Sequence, residues 1–138
     1  MGRPVLLDTC AAIWLMDGAQ MSQISRESIR AAQKARLGVF VSPITAWEIA
    51  TLMRKNRIQL NRPPDVWFDT LLGLPGIRLA QLSPAVLIAS ALLPRAAPRD
   101  PADRIIVATS RAFGYTVITR DGELIPYAAA GHIEAIAC

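Results

Sequence analysis

The sequence predicts an α/β fold: a central, mostly parallel sheet of four to five short strands with helices on both faces. Three observations carry that expectation. Short apolar runs alternate with longer helical stretches from one end of the chain to the other. A hydroxyl or acid followed by proline recurs at Ser42-Pro43, Ser83-Pro84 and Asp100-Pro101, and this pair opens helices because proline's φ is already helical. Finally, the apolar runs at 5–7 and 116–119 lead into acids, Asp8 and Asp121. Ligands of open α/β sheets bind beyond the carboxyl ends of the strands.

Val5-Leu6-Leu7 is apolar at successive positions, as a strand buried on both faces must be, and it delivers Asp8. Thr9 reads as a cap, and residues 10–16 give one or two helical turns before Asp17-Gly18 breaks them. A second helix begins near Ser25, carries Arg26, Arg30, Lys34 and Arg36 on its polar side, and ends at Gly38. Val39-Phe40-Val41 is a second strand. The third helix runs from Ser42-Pro43 to about Lys55, and Glu48 shares its apolar face with Ile44 and Leu52. A carboxylate so placed needs an arginine or a metal, because an unpaired buried charge costs several kcal/mol. Arg54, Lys55 and Arg57 collect at the end of this helix, where its dipole favours cations.

After the break at 61–64, residues 65–72 form a short amphipathic helix with Trp67, Phe68 and Leu71 as its apolar side. Residues 77–82 alternate weakly as a third strand, 85–92 form a helix, and 94–98 form a loop. Asp100 and Pro101 start a helix that extends to Phe113 and is closed by Gly114. Strand 116–119, a turn with a short helical piece at 122–127 and an edge strand at 133–136 complete the chain.

The 138 residues suit one domain, 1–138, with a sizeable core. No apolar run approaches the roughly 20 residues that span a bilayer, and the N-terminus lacks the features of a signal peptide, so the expected compartment is the cytoplasm and no membrane partner is expected. The two cysteines, Cys10 and Cys138, show no metal or disulfide spacing and read as a buried small residue and a terminal thiol. The formal charge is +4, and thirteen of the 15 basic residues are arginine. If Asp8, Glu48, Asp103 and Asp121 are withdrawn into a site, the remaining basic excess doubles. That excess suits a polyanion such as nucleic acid as well as it suits simple solubility.

Asp8 and Asp121 at strand ends, Asp103 in a first helical turn and Glu48 two turns into a helix can all face one sheet edge. Four carboxylates there suit a hard divalent cation, which takes oxygen ligands and leaves room for a phosphodiester. A bound ion acidifies water and neutralises charge developing on phosphate, which is hydrolytic nuclease chemistry. The single histidine, His132, lies in a Gly-His turn away from any nucleophile, and no Gly-rich phosphate loop is present. A phosphoacceptor receiver domain is disfavoured because Asp8-Thr9 lacks paired acids and neither Lys34 nor Lys55 follows a late strand.

Leu6-Leu7-Asp8-Thr9, Trp47-Glu48 after Ser42-Pro43, the run Arg99-Asp100-Pro101-Ala102-Asp103-Arg104, and Ile118-Thr119-Arg120-Asp121 together resemble a PIN-domain ribonuclease. More narrowly, they resemble a VapC-type toxin of a type II toxin–antitoxin pair, and the resemblance covers almost the whole chain. It implies an Mg2+-dependent endoribonuclease, with Mn2+ as an alternative ion, whose metal is held by Asp8, Glu48, Asp103 and Asp121. Thr9 and Thr119 would support them with hydroxyls, and Asp100 would cap or sit behind them. Arg104 and Arg120 are candidates for RNA phosphate contacts or for neutralising the acidic pocket. The implied partners are RNA, a VapB-like antitoxin and a second copy of the chain, with a larger assembly formed alongside the antitoxin. Trp14, Leu15, Trp47 and Met53 are candidates for those surfaces, although core is the preferred reading for each. The competing hypothesis is a non-catalytic PIN-like module that binds RNA or a partner.

Overall fold

The computed structural model describes residues 2–138. Along the chain lie β1 (Val5–Leu7), α1 (Thr9–Asp17), α2 (Gln23–Lys34), β2 (Val39–Val41), α3 (Pro43–Arg54) and α4 (Pro64–Leu72). They are followed by β3 (Ile77–Leu79), α5 (Pro84–Ala91), α6 (Pro101–Phe113), β4 (Thr116–Thr119), α7 (Leu124–Ala129) and β5 (Glu134–Ala137). The five strands form one sheet in the order β3-β2-β1-β4-β5. Every pairing is parallel, including that of the edge strand β5. Each connection is therefore a crossover, and all carboxyl ends emerge on one edge.

Alternation along the strands divides the interior into two layers. Val5, Leu7, Val39, Val41, Ile77 and Ile118 face α1 to α4, whose Ala11, Ile29, Ile49, Trp67 and Leu71 are buried against them. Leu6 and Val117 point the other way, onto Ile106 and Val107 of α6 and Leu124 and Tyr127 of α7. A strand in such a sheet is apolar on both sides, which is why β1 has no polar residue until Asp8. Among the described residues, no helix is long and apolar enough to cross a membrane.

Several boundaries differ from the sequence expectations, and three of them have a clear local cause. The second helix starts earlier, because Ser22 rather than a residue near Ser25 accepts the Ser25 amide. It also ends at Lys34, and Arg36, not Gly38, takes the left-handed turn (φ 56). The third strand stops at Leu79, since the chain then turns outward to the Ser83 cap of α5. Cys10, expected to be buried, is exposed on α1, and the terminal Cys138 is buried directly after β5.

Gly38 serves a different purpose. Its φ of 95 aims the chain into β2, and a Cβ there would stand 2.8 Å from the Phe40 ring. Gly38→Ala is expected to lower stability by about 1–3 kcal/mol, read as a lower urea midpoint at an unchanged denaturant slope.

Candidate metal centre

The strand order reverses between β1 and β4, so a crevice opens there at the carboxyl edge. Asp8 sits at its floor, buried, and caps α1 by accepting the Ala11 amide on Oδ1 at 2.8 Å. The expected cap, Thr9, is instead the first residue of the helix. The other oxygen of Asp8 accepts the Thr119 hydroxyl, which itself accepts the Asp121 amide at 2.9 Å. One buried hydroxyl thus joins the acid after β1 to the backbone of the acid after β4.

Thr9 does the same for α3. Its hydroxyl donates to Glu48 Oε1 and lies 3.2 Å from the buried Thr45 hydroxyl. Pro43 at the first position and Ser42 as cap, accepting the Ile44 amide at 3.2 Å, begin α3 directly after β2, which brings Glu48 over the crevice. Thr45 was not singled out in the sequence. The available signal was its spacing, three residues before Glu48 on the same helical face.

Asp103 enters from α6. Asp100 caps that helix, accepting the Ala102 and Asp103 amides at 2.8 and 3.2 Å, and so behaves as helix-start grammar. Asp103 lies beside the Asp121 carboxyl, close enough for that group to raise its proton affinity. Asp121 also accepts the Glu123 amide at 2.7 Å, which fixes the turn after β4.

Burial is the first reason that protons are held here, and mutual repulsion adds to it. Desolvation raises Asp8 against the opposing pull of its Thr119 and Ala11 hydrogen bonds. Glu48 is raised by burial and by Asp100, Asp8 and Asp121. Asp103 is pushed up to about 8 by burial first, then by the adjoining Asp121 carboxyl and by Asp100 and Glu48. No cation offsets this crowding: among the described residues the one ion pair is Arg3–Glu134, at the opposite edge of the sheet.

The donor set is all hard oxygen, and its uncompensated negative charge fits a divalent cation such as Mg2+. The carboxylates do not converge into a ready-made cage. Among the described residues no three acids, histidines or cysteines gather closely enough to hold an ion by themselves. That too fits Mg2+, which is commonly held by one or two carboxylates together with water and substrate phosphate.

The two arginines part company. Arg104 is a clamp: Nε, Nη1 and Nη2 donate to the carbonyls of Ser90, Pro98 and Ala91 at 2.8, 3.0 and 3.1 Å. It ties α6 to the end of α5 and the loop between them. Arg120 is exposed, and its guanidinium carbon lies 3.6 Å from the Trp14 ring centroid. Trp47, expected in the core, is 61% exposed, whereas Trp14, Leu15 and Met53 are partly buried against it. His132 stacks on Tyr127 with ring centroids 4.4 Å apart and takes no part in the crevice.

Fold and site define a parallel α/β protein with an all-carboxylate centre at the topological switch point. The PIN domain family matches residues 5–130, and the chain belongs to that family. It is 33% identical over 120 residues to Ribonuclease VapC22 of Mycobacterium tuberculosis, spanning 87% of this chain and 88% of that protein. Its fold is similar to a chain in the crystal structure of DNA-bound VapBC from Salmonella typhimurium. That likeness has a TM-score of 0.57 at 18% identity and covers 98% of both chains.

The Asp103 environment has a measurable consequence in metal-free protein. The carboxyl titrates near its ordinary 3.8 when unfolded and at about 8 when folded, so between those values only the folded chain retains the proton. The resulting penalty is absent below about pH 4 and complete above about pH 8. Asp103→Asn is expected to flatten this decline, seen as a smaller drop in urea midpoint between about pH 5 and about pH 8 than in the parent protein.

Proposed function

We propose that the chain is an endoribonuclease that acts in the cytoplasm as the toxin of a toxin–antitoxin pair, with all 138 residues forming one catalytic unit. The observation that carries this reading is that Asp8, Glu48, Asp103 and Asp121 lie within electrostatic reach of one another around the switch point, with no ion pair among the described residues to offset them, in a chain similar to a named ribonuclease. These four carboxylates would hold Mg2+, one or two of them directly and the rest through water and substrate phosphate, with Mn2+ as a substitute. When bound, the ion supplies acidification of water and neutralisation of charge developing on the phosphodiester.

The remaining work falls to the chain itself. Thr119 holds the Asp8 carboxylate at the floor and Thr9 holds Glu48 on the wall, so both present fixed oxygens to the crevice. Supporting groups of this kind commonly change metal affinity or activity by about 10–100-fold when removed. Arg120 is restrained by Trp14 rather than by Asp121, which leaves its N–H groups available to a backbone phosphate at the rim. The inhibitory partner is a VapB-like antitoxin, and the toxin itself pairs as a homodimer that enters a larger assembly with it. The VapBC complex whose chain shares this fold motivates the antitoxin assignment.

Asp8→Asn removes the floor carboxylate and keeps an oxygen for the Ala11 amide, so it is expected to abolish RNA cleavage and retain the parent far-UV circular dichroism. Chelation should silence the parent enzyme, and Mg2+ or Mn2+ should restore it, with new 5′ ends mapped by sequencing. Metal-independent cleavage, or RNA binding that yields no new ends, contradicts the proposal. The second outcome defines a non-catalytic binding module.

A further inference from the structure

The acid edge repels RNA, so affinity must come from cations that flank it. On the α3 side they stand beside an unused aromatic ring. Glu48 points into the crevice, while its neighbour Trp47 is 61% exposed, in contrast to Trp67 at 2%. A helix dipole explains cations at the end of α3, but it does not explain a large ring left in water at the lip of a site.

Local geometry then gathers two cations there. Lys55 caps α3, Asn56 takes the left-handed conformation (φ 56), and its amide bonds to Met53 O at 3.0 Å while that of Arg57 bonds to Leu52 O at 2.9 Å. This pair of bonds is a Schellman turn, which folds the chain back over the last helical turn instead of carrying it away. As a result Lys55 and Arg57 line one pocket of about 200 Å³ together with Trp47, Glu48 and Asp100. Although two carboxylates share the pocket, neither cation forms an ion pair with them. An unpaired lysine and arginine beside a flat ring supply what a nucleotide offers partners for, phosphate charge and a π-face.

We propose that this pocket is a subsite for one nucleotide of single-stranded RNA next to the bond being cut, with its phosphate against Lys55 and Arg57 and its base against Trp47. The proposal rests on the ribonuclease reading for its place beside the scissile bond. It goes beyond that reading in naming residues that select and hold substrate rather than cut it. Glu48 and Asp100 form a wall shared with the acid edge, so a strand seated here leads directly into the crevice.

Two arms test it. In the first, a fluorescent single-stranded RNA of about ten nucleotides is titrated into the non-cutting Asp8→Asn protein over a series of salt concentrations. Adding Lys55→Gln and Arg57→Gln together is expected to weaken binding at least about tenfold and to make the salt slope shallower by about 1.4. Adding Trp47→Ala is expected to cost about tenfold, and Trp47→Phe much less, since every base stacks on any aromatic face. In the second arm, the same substitutions in the active chain raise KM with little change in kcat. These side chains are exposed, and unchanged thermal melts verify that the variants are folded.

Unchanged affinity, slope and KM overturn the subsite while parent cleavage leaves the ribonuclease reading standing. Trp47→Ala that alters antitoxin binding or light-scattering mass and leaves RNA binding intact also overturns it, and assigns the face to a protein. A parent chain that binds the oligonucleotide through these residues and never cuts RNA overturns the ribonuclease reading and keeps the subsite.

Discussion

The structure depends on one buried hydroxyl. Thr119 donates to Asp8 and accepts from the Asp121 amide, so the two central strands are joined at their carboxyl ends by a polar relay set in an apolar sheet. Without it the Asp8 oxygen would lose its partner in a buried position, at a cost of about 1–3 kcal/mol. With it, an anionic group is held where burial alone would push it out. The crowding of Glu48 and Asp103 around this point follows from where α3 and α6 begin.

Those helix starts are the means by which local sequence becomes site geometry. Ser42-Pro43 begins α3 immediately after β2, and Asp100-Pro101 begins α6 where Arg104 can grip three carbonyls behind it. A parallel sheet then sends every strand end to the same edge, which brings acids distant in sequence to one side of the fold. The arrangement stores unfavourable electrostatics, and that stored repulsion is what a cation relieves on binding.

Most of the fold was legible because its signals are local. Apolar triplets gave β1 and β2, and hydroxyl-proline or acid-proline pairs gave α3, α5 and α6. Asp8 and Asp121 stood out as acids that follow strands, whereas the true cap at Asp8 was misassigned to Thr9 because both residue types cap helices. Arg104 was illegible as a clamp, since its partners are backbone carbonyls 6 to 14 residues away and carbonyls carry no sequence signature. Trp47 was illegible for a related reason. Composition says that a tryptophan on an apolar helix is core, and only the tertiary arrangement of α3 shows that this one meets solvent. The exposure of Cys10 likewise depends on which side of α1 faces the sheet.

We propose that the carboxylates at the β1–β4 switch point, where burial and mutual repulsion raise Asp8, Glu48 and Asp103, form a divalent cation site. Titration calorimetry with Mn2+ at about pH 7, repeated in buffers of different ionisation enthalpy, tests it most directly, because Asp103 titrates at about 8 and must release its proton to bind. Binding is expected to release roughly one proton, with that coupling lost in Asp103→Asn. Binding without proton release, or no binding at millimolar Mn2+, would contradict it.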